Sequence, residues 1–384
     1  MKRPLYSLPG LIMILVTLCV ALSMPFPVHA QQRGVYIEKR GNVDFVWINN
    51  PDASERAALS AGIDLISVDN KKAIELLTPA AEAGNVNYQY LLAVIYATEA
   101  ERTKKAANYE KALYWYKECA ALGHPKAQFE VGQYYKLAPG DIPHDLNEAI
   151  RWYEMAAANP LSMGDAENEL AVMYESGKGK PKDEKKAFRY YLQGAQRGNV
   201  LAQQSVAIYY FRGKIGAPDI KEAMKWITRA AEQGHAKSQL NLAKAYMKGY
   251  VTGAQDPEGF IRWAQKAAEN DYIPAMLMLG HFYRQGDGGE IDNVKAAHWY
   301  EQAAAQNSPE GLFFFGQMFE LGLGVPKDLT RAYFYYARSE GAGFPAAAVS
   351  QMQISDKMTP IQLDEAKKRA QAFNAPSLQG ANEE

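Results

Sequence analysis

Cysteine is almost missing from this chain: two occur in 384 residues. One of them, Cys19, falls in an N-terminal apolar run. Cys119 is then alone downstream, which excludes an intramolecular disulfide there. A charge excess of either sign is missing too. Lys+Arg number 42 against Asp+Glu 43, a formal net charge of −1, and that balance argues against a nucleic-acid stripe or a polybasic membrane patch. His124, His144, His235, His281 and His298 show neither H-x-x-x-H nor H-E-x-x-H spacing, so neither a metal site nor any other cofactor is expected. No G-x-S-x-G elbow occurs. Gly177-Lys178-Gly179-Lys180 lacks the preceding strand and the G-x-x-x-x-G-K-[ST] spacing of a phosphate loop. Asp287–Asp292 is acidic and glycine-rich but lacks the calcium-loop pattern. These absences remove the common catalytic constellations.

Long apolar runs are absent beyond the N-terminus. There, Lys2 and Arg3 precede the apolar run Leu11–Leu22, which is too short for a comfortable membrane span. Val28-His29-Ala30 places small residues at −3 and −1. The expectation is a signal peptide over 1–30, cleaved after Ala30, with an uncleaved anchor as the alternative. The mature chain is then expected to carry no membrane span, to be exported, and to reside in the periplasm or, failing that, outside the cell.

What is abundant is alanine, glycine and tyrosine in a fixed register. One small-residue slot falls at Ala73, Ala112, Ala149, Ala187, Ala223, Phe260, Ala296 and Ala332, in steps of 36 to 39 residues. An aromatic slot three residues on holds Trp115, Trp152, Tyr190, Trp226, Trp263, Trp299 and Tyr335, with Leu76 in the first copy. A second aromatic slot holds Tyr96, Tyr135, Tyr174, Tyr210, Tyr246, Tyr283 and Phe319. A period this regular marks a stacked repeat array. Within each copy the apolar spacing predicts two helices, with Gly84, Gly123, Gly198 and Gly234 as C-terminal stops. The Ala-Ala pairs and Gly132, Gly280 and Gly316 are expected where helices cross closely. The tryptophans are expected to pack between units. Cys119 occupies the slot of Ala80, Ala156, Ala230, Ala267 and Ala303, so it reads as a small buried residue. His124 and His235 read as turn residues after a helix-ending glycine.

Outside the array, residues 31–53 form an arm or small hairpin, with β-like runs Val35–Glu38 and Val43–Ile48 around Arg40-Gly41-Asn42. Ala53–Val68 has helical spacing and is expected to be a degenerate first helix that caps the array. The array occupies 54–352. Extra residues near Ala100–Tyr109 and at Asn159-Pro160-Leu161-Ser162 are expected as surface excursions. A capping helix, Pro360–Phe373, lies within 353–373, and a disordered tail follows at 374–384.

Ala296-x-His298-Trp299-Tyr300 with Ala303-Ala304, then Phe315-Gly316 to Gly322, and the loop Gly322-Leu323-Gly324-Val325-Pro326-Lys327-Asp328, resemble the Sel1-like repeat, a relative of the tetratricopeptide repeat. Phe260 in place of the first Ala, Pro160 in place of the helix-ending Gly, and Ser339-Glu340 in place of Ala-Ala are departures from that pattern. The resemblance implies an all-α, right-handed solenoid of about eight repeats that binds other proteins as an envelope scaffold, adaptor or regulator. It also implies that the second helix of each repeat lines a concave face. On that basis Tyr90, Phe129, Gln133, Gln204, Leu240, Lys244, His281, Phe313 and Gln317 are the candidate partner-binding residues, suited to an extended peptide or a protein segment. Packing between units is the competing role for Tyr90, Phe129 and Phe313. No catalytic residue is expected. A secreted factor acting on a host or neighbouring cell, and a cell-wall enzyme or its accessory, are the alternative functions.

Overall fold

Seven aspartates set the frame. Asp69, Asp145, Asp183, Asp219, Asp256, Asp292 and Asp328 each stand four residues before the first small slot, and each caps the helix that follows. In every case a carboxylate oxygen accepts a first-turn backbone N–H, as from Lys186 at 2.9 Å and Glu222 at 2.9 Å. Such a cap is worth about 1 kcal/mol. Six of the same residues donate their own backbone N–H to the carbonyl of the preceding second aromatic slot, for example Asp183 to Tyr174 at 2.9 Å and Asp328 to Phe319 at 3.0 Å. This link fixes the turn from one repeat to the next.

The computed structural model describes residues 35–40, 43–48 and 69–374. The expected signal peptide, the Gly41-Asn42 turn, the degenerate helix Ala53–Val68 and all of the tail after Asn374 lie outside the described residues. Strands β1 (Val35–Arg40) and β2 (Val43–Ile48) pair antiparallel, with Val35 opposite Ile48 and Arg40 opposite Val43. Everything else of regular structure among the described residues is helical, and the fold is an all-α solenoid.

The helices divide into two units. The first holds α1 (Asn70–Glu82), α2 (Val86–Thr103), α3 (Ala106–Ala121), α4 (Pro125–Leu137), α5 (Leu146–Ala158), α6 (Asp165–Ser176) and α7 (Glu184–Gln196). The division falls within α8 (Val200–Arg212). The second unit holds α9 (Ile220–Glu232), α10 (Ala236–Met247), α11 (Pro257–Glu269), α12 (Ile273–Gln285), α13 (Asn293–Ala305), α14 (Pro309–Leu321), α15 (Leu329–Gly341), α16 (Ala346–Ser355) and α17 (Pro360–Asn374). Within the first unit α1 to α7 pack each on the next, within the second α9 to α16 do the same, and α17 folds back on α15.

The extra residues near Ala100 are not a surface excursion. They lengthen α2 to 18 residues, and the helix closes at Lys104, whose N–H donates to the Ala100 carbonyl at 2.7 Å. The Asn159–Ser162 excursion is pinned to its neighbours. The Arg197 guanidinium donates to the Ala157 and Asn159 carbonyls at 3.1 Å each and pairs with the buried Glu167. Cys119 is buried and donates from Sγ to the Val86 carbonyl at 3.4 Å; burial pushes its thiol well above the ordinary range. His124 and His235 are N-caps of α4 and α10.

In four repeats the residue immediately after the tryptophan slot lies deeper than the slot residue itself. Tyr153, Tyr300 and Tyr336 have no exposed surface, and Tyr191 has 2%. Trp115, Trp226 and Trp263 are buried near the surface, while Trp152 and Trp299 are only half-buried. The tyrosine also explains the glycines on the second helices. A Cβ on Gly132 would lie 2.6 Å from the Tyr153 ring, and one on Gly280 would lie 2.5 Å from the Tyr300 ring. These glycines admit an aromatic face rather than a neighbouring helix backbone alone.

Candidate functional site

The same tyrosines organise the face on which the candidate residues sit. On each second helix, call the Ala or Gly of this register position zero: Gly132 on α4, Ala171 on α6, Gly280 on α12 and Gly316 on α14. A tyrosine ring covers the three glycines, and in all four repeats the tyrosine hydroxyl reaches one or four residues further along. Tyr153 donates to Gln133 Oε1 at 2.8 Å, Tyr191 to Glu175 Oε2 at 2.9 Å and Tyr336 to Glu320 Oε2 at 2.8 Å. Tyr300 Oη lies 2.8 Å from His281 Nδ1. Burial raises the phenols of Tyr153, Tyr300 and Tyr336; Tyr300 reaches about 12, opposed by the adjacent Arg284 guanidinium. They therefore stay protonated and able to donate at neutral pH.

This geometry sorts the nine expected groove residues into two groups. Tyr90, Gln204, Leu240 and Phe313 are buried, at 7%, 8%, 3% and 8% exposure. They lie three residues before position zero. Tyr90 stacks on His124 with ring centroids 4.4 Å apart, and Phe313 meets Tyr336 at 5.5 Å and Phe344 at 5.0 Å. These four side chains are buried rather than on an open surface, which is the competing packing role named above for Tyr90 and Phe313. Phe129, in the same register, is half-buried against Tyr153 at 5.7 Å and lines a cavity of about 70 Å³ with Leu161 and Met163.

The residues one past position zero remain accessible. Gln133, His281 and Gln317 are half-buried, and Lys244 is exposed. Gln133 and His281 hold tyrosine hydroxyls, and Gln317 Oε1 accepts from Arg284 Nη1 at 3.0 Å. Lys244 makes no ion pair among the described residues. Arg284 and Phe314, which the sequence did not single out, belong to the same cluster. Phe314 stacks on Tyr300 at 5.2 Å and meets the His281 ring edge-to-face at 4.6 Å. Burial, and then the Arg284 charge, hold His281 below the ordinary histidine range, so it is neutral at pH 7.

Glu130 on α4 was also missed. It is half-buried and has no hydrogen-bond or ion-pair partner among the described residues. Burial pushes its carboxyl up to about 7; the Lys126 ammonium opposes the rise and the Asp165 carboxylate adds to it. An unfolded chain would release this proton near the ordinary ~4.3. Folding therefore takes up a proton between those values, and stability falls as pH rises from about 4.3 to about 7. Glu130→Gln should remove that slope and stabilise the protein by about 1–3 kcal/mol at pH 8, with little effect at pH 4, the figure being discounted for partial exposure. Thermal melts of both proteins across that range check it, and parallel curves would show a solvated carboxylate.

Among the described residues no three His, Cys, Asp or Glu side chains gather as a metal site, and no helix is long and apolar enough to cross a membrane.

The Sel1 repeat family pattern matches residues 51–85, 86–124, 125–160, 164–199, 200–235, 236–272, 273–308 and 309–343. An uncharacterized protein of Neisseria meningitidis serogroup B is 28% identical over 284 residues, which is 74% of this chain and 49% of that protein. Chitin synthase regulatory factor 3 of Schizosaccharomyces pombe is 25% identical over 311 residues, which is 79% of this chain and 29% of that protein. The chain thus spans about half the length of the first relative and under a third of the second. The crystal structure of a Sel1 repeat protein from Oxalobacter formigenes aligns with a TM-score of 0.62 at 27% identity, covering 79% of this chain and 88% of that one.

Proposed function

Because this chain belongs to the Sel1 repeat family, we propose that it is a non-catalytic interaction scaffold of the bacterial cell envelope that binds a peptide or protein segment on the second helices of its repeats. The observation that carries this reading is the sorting of the second-helix face. Most of its apolar positions are buried in the stack, while the residues at the tyrosine hydroxyls keep accessible polar groups held in place by packing within each repeat. Binding sites of this kind need little reorganisation to engage an extended partner. Two features support an envelope location: the basic, then apolar, then small-residue order of the first thirty positions, and a near-neutral charge that gives no pull toward nucleic acid.

The test is affinity capture from envelope extracts with the chain from residue 31 onward, beside a variant carrying Val172→Arg and Lys244→Glu, both on the exposed second-helix face. A partner retained by the parent across moderate salt and lost by the variant supports the reading. Equal retention by both, or none by either, overturns it. Cell fractionation belongs with this test, since accumulation in the medium would favour a secreted factor.

A further inference from the structure

We propose that His281, Arg284 and Gln317, on an aromatic floor of Tyr300 and Phe314, form a carboxylate-recognition subsite that takes an acidic side chain of an extended partner segment. The proposal rests on the scaffold reading above and names the chemistry of its partner.

The argument begins with an unneutralised guanidinium. Arg284 on α12 is half-buried. It donates to neutral partners, Gln317 Oε1 at 3.0 Å and the Tyr300 hydroxyl, and among the described residues it makes no ion pair. A guanidinium presents five donors in a planar fork, so donors remain beyond these two partners. Glu320, which holds the equivalent position one repeat later, is already engaged. It accepts the Tyr336 hydroxyl at 2.8 Å and pairs with the Lys357 ammonium at 3.2 Å.

The surroundings suit an anion of carboxylate size. If His281 accepts the Tyr300 hydroxyl at Nδ1, the neutral ring carries its proton on Nε2 and keeps one donor. Gln317, engaged through its oxygen, keeps its amide N–H groups. Tyr300 and Phe314 stack at 5.2 Å and give the cluster an apolar wall, which lowers the local dielectric and strengthens a charge-assisted hydrogen bond. One repeat earlier, Lys244 occupies the position equivalent to His281, exposed and without an ion pair among the described residues. Two unpaired cations one repeat apart commit the occupant to a segment bearing more than one carboxylate along its length, rather than a single chain terminus.

The probe is a fluorescein-labelled (Glu-Gly)6 peptide with an amidated C-terminus, read by fluorescence anisotropy against the chain from residue 31, with (Gln-Gly)6 as the neutral comparison. The expected result is binding of the acidic peptide and at least tenfold weaker binding of the neutral one. Arg284→Gln should weaken the acidic peptide about tenfold. Lys185→Gln, which removes the same net charge from an exposed site, should leave it within twofold. Gln317→Glu places a carboxylate on Arg284 from within and should abolish binding without lowering the melting temperature, which separates site occupancy from misfolding. Three outcomes would overturn the proposal: equal binding of acidic and neutral peptides, unchanged binding by Arg284→Gln and Gln317→Glu, or binding only by a free-acid terminus. If Arg284→Gln still retains the partner captured from envelope extracts, the scaffold reading stands and this subsite falls.

Discussion

Tyr153→Ala should destabilise the array by about 3–5 kcal/mol, as expected for truncating a fully buried aromatic. The ring has no exposed surface. It fills the notch left by Gly132, where even one added carbon would sit 2.6 Å from it, so no neighbour can move in to close the cavity. Tyr153→Phe should cost only about 1 kcal/mol, because it removes one hydrogen bond whose acceptor, Gln133, can turn to water. Trp152→Ala should cost less than Tyr153→Ala, since Trp152 is half-exposed. Urea melts of the three variants measure this, with the slope checked for loss of cooperativity, because a repeat array can open one end at a time. A larger loss from Trp152 than from Tyr153 would return the tryptophan to the centre of the packing.

The tyrosine's place was legible, yet bulk drew attention to the tryptophan. From the first small slot, the tryptophan lies three residues on and the tyrosine four. The first of the paired alanines comes seven on. At 100° per residue, the positions at zero, four and seven fall within about 60° of one another, and the tryptophan falls at their edge. The repeat period, the helix pairs and the buried role of Cys119 were readable for the same reason: each is a statement about one helix face. The candidate site was less readable. Tyr90 and Phe313 on one hand, and Gln133 and His281 on the other, point to nearly the same side of their helices. What separates them is whether the ring body or the hydroxyl of the next repeat's tyrosine lies above, a distance along the helix that periodicity does not encode. Arg284 and Glu130 escaped notice because an unpaired charge is defined by the partners that fail to reach it, and sequence spacing shows only partners within the same helix.

Gly324→Ala should be the most damaging single-methyl change in the loops, at about 3–5 kcal/mol. The loop that joins α14 to α15 contains two glycines of left-handed backbone, Gly322 at φ +71 and Gly324 at φ +68. Gly322 ends α14, and a Cβ there would approach the Lys327 side chain at 3.2 Å, so Gly322→Ala should cost about 1 kcal/mol, chiefly for the left-handed backbone. Gly324 differs in what it touches. A Cβ there would lie 2.0 Å from the Asn293 carbonyl oxygen and 2.4 Å from the carbonyl carbon. Asn293 is the first residue of α13, held by its Asp292 cap, so the obstacle is backbone that the preceding helix fixes in place. Gly324→Asn separates the two causes. Asparagine tolerates left-handed backbone but carries the same Cβ, so it should be nearly as damaging as alanine. If Gly324→Asn proved as mild as Gly322→Ala in thermal and urea melts, backbone conformation would be the whole cost, and the close approach of this loop to α13 would be wrong.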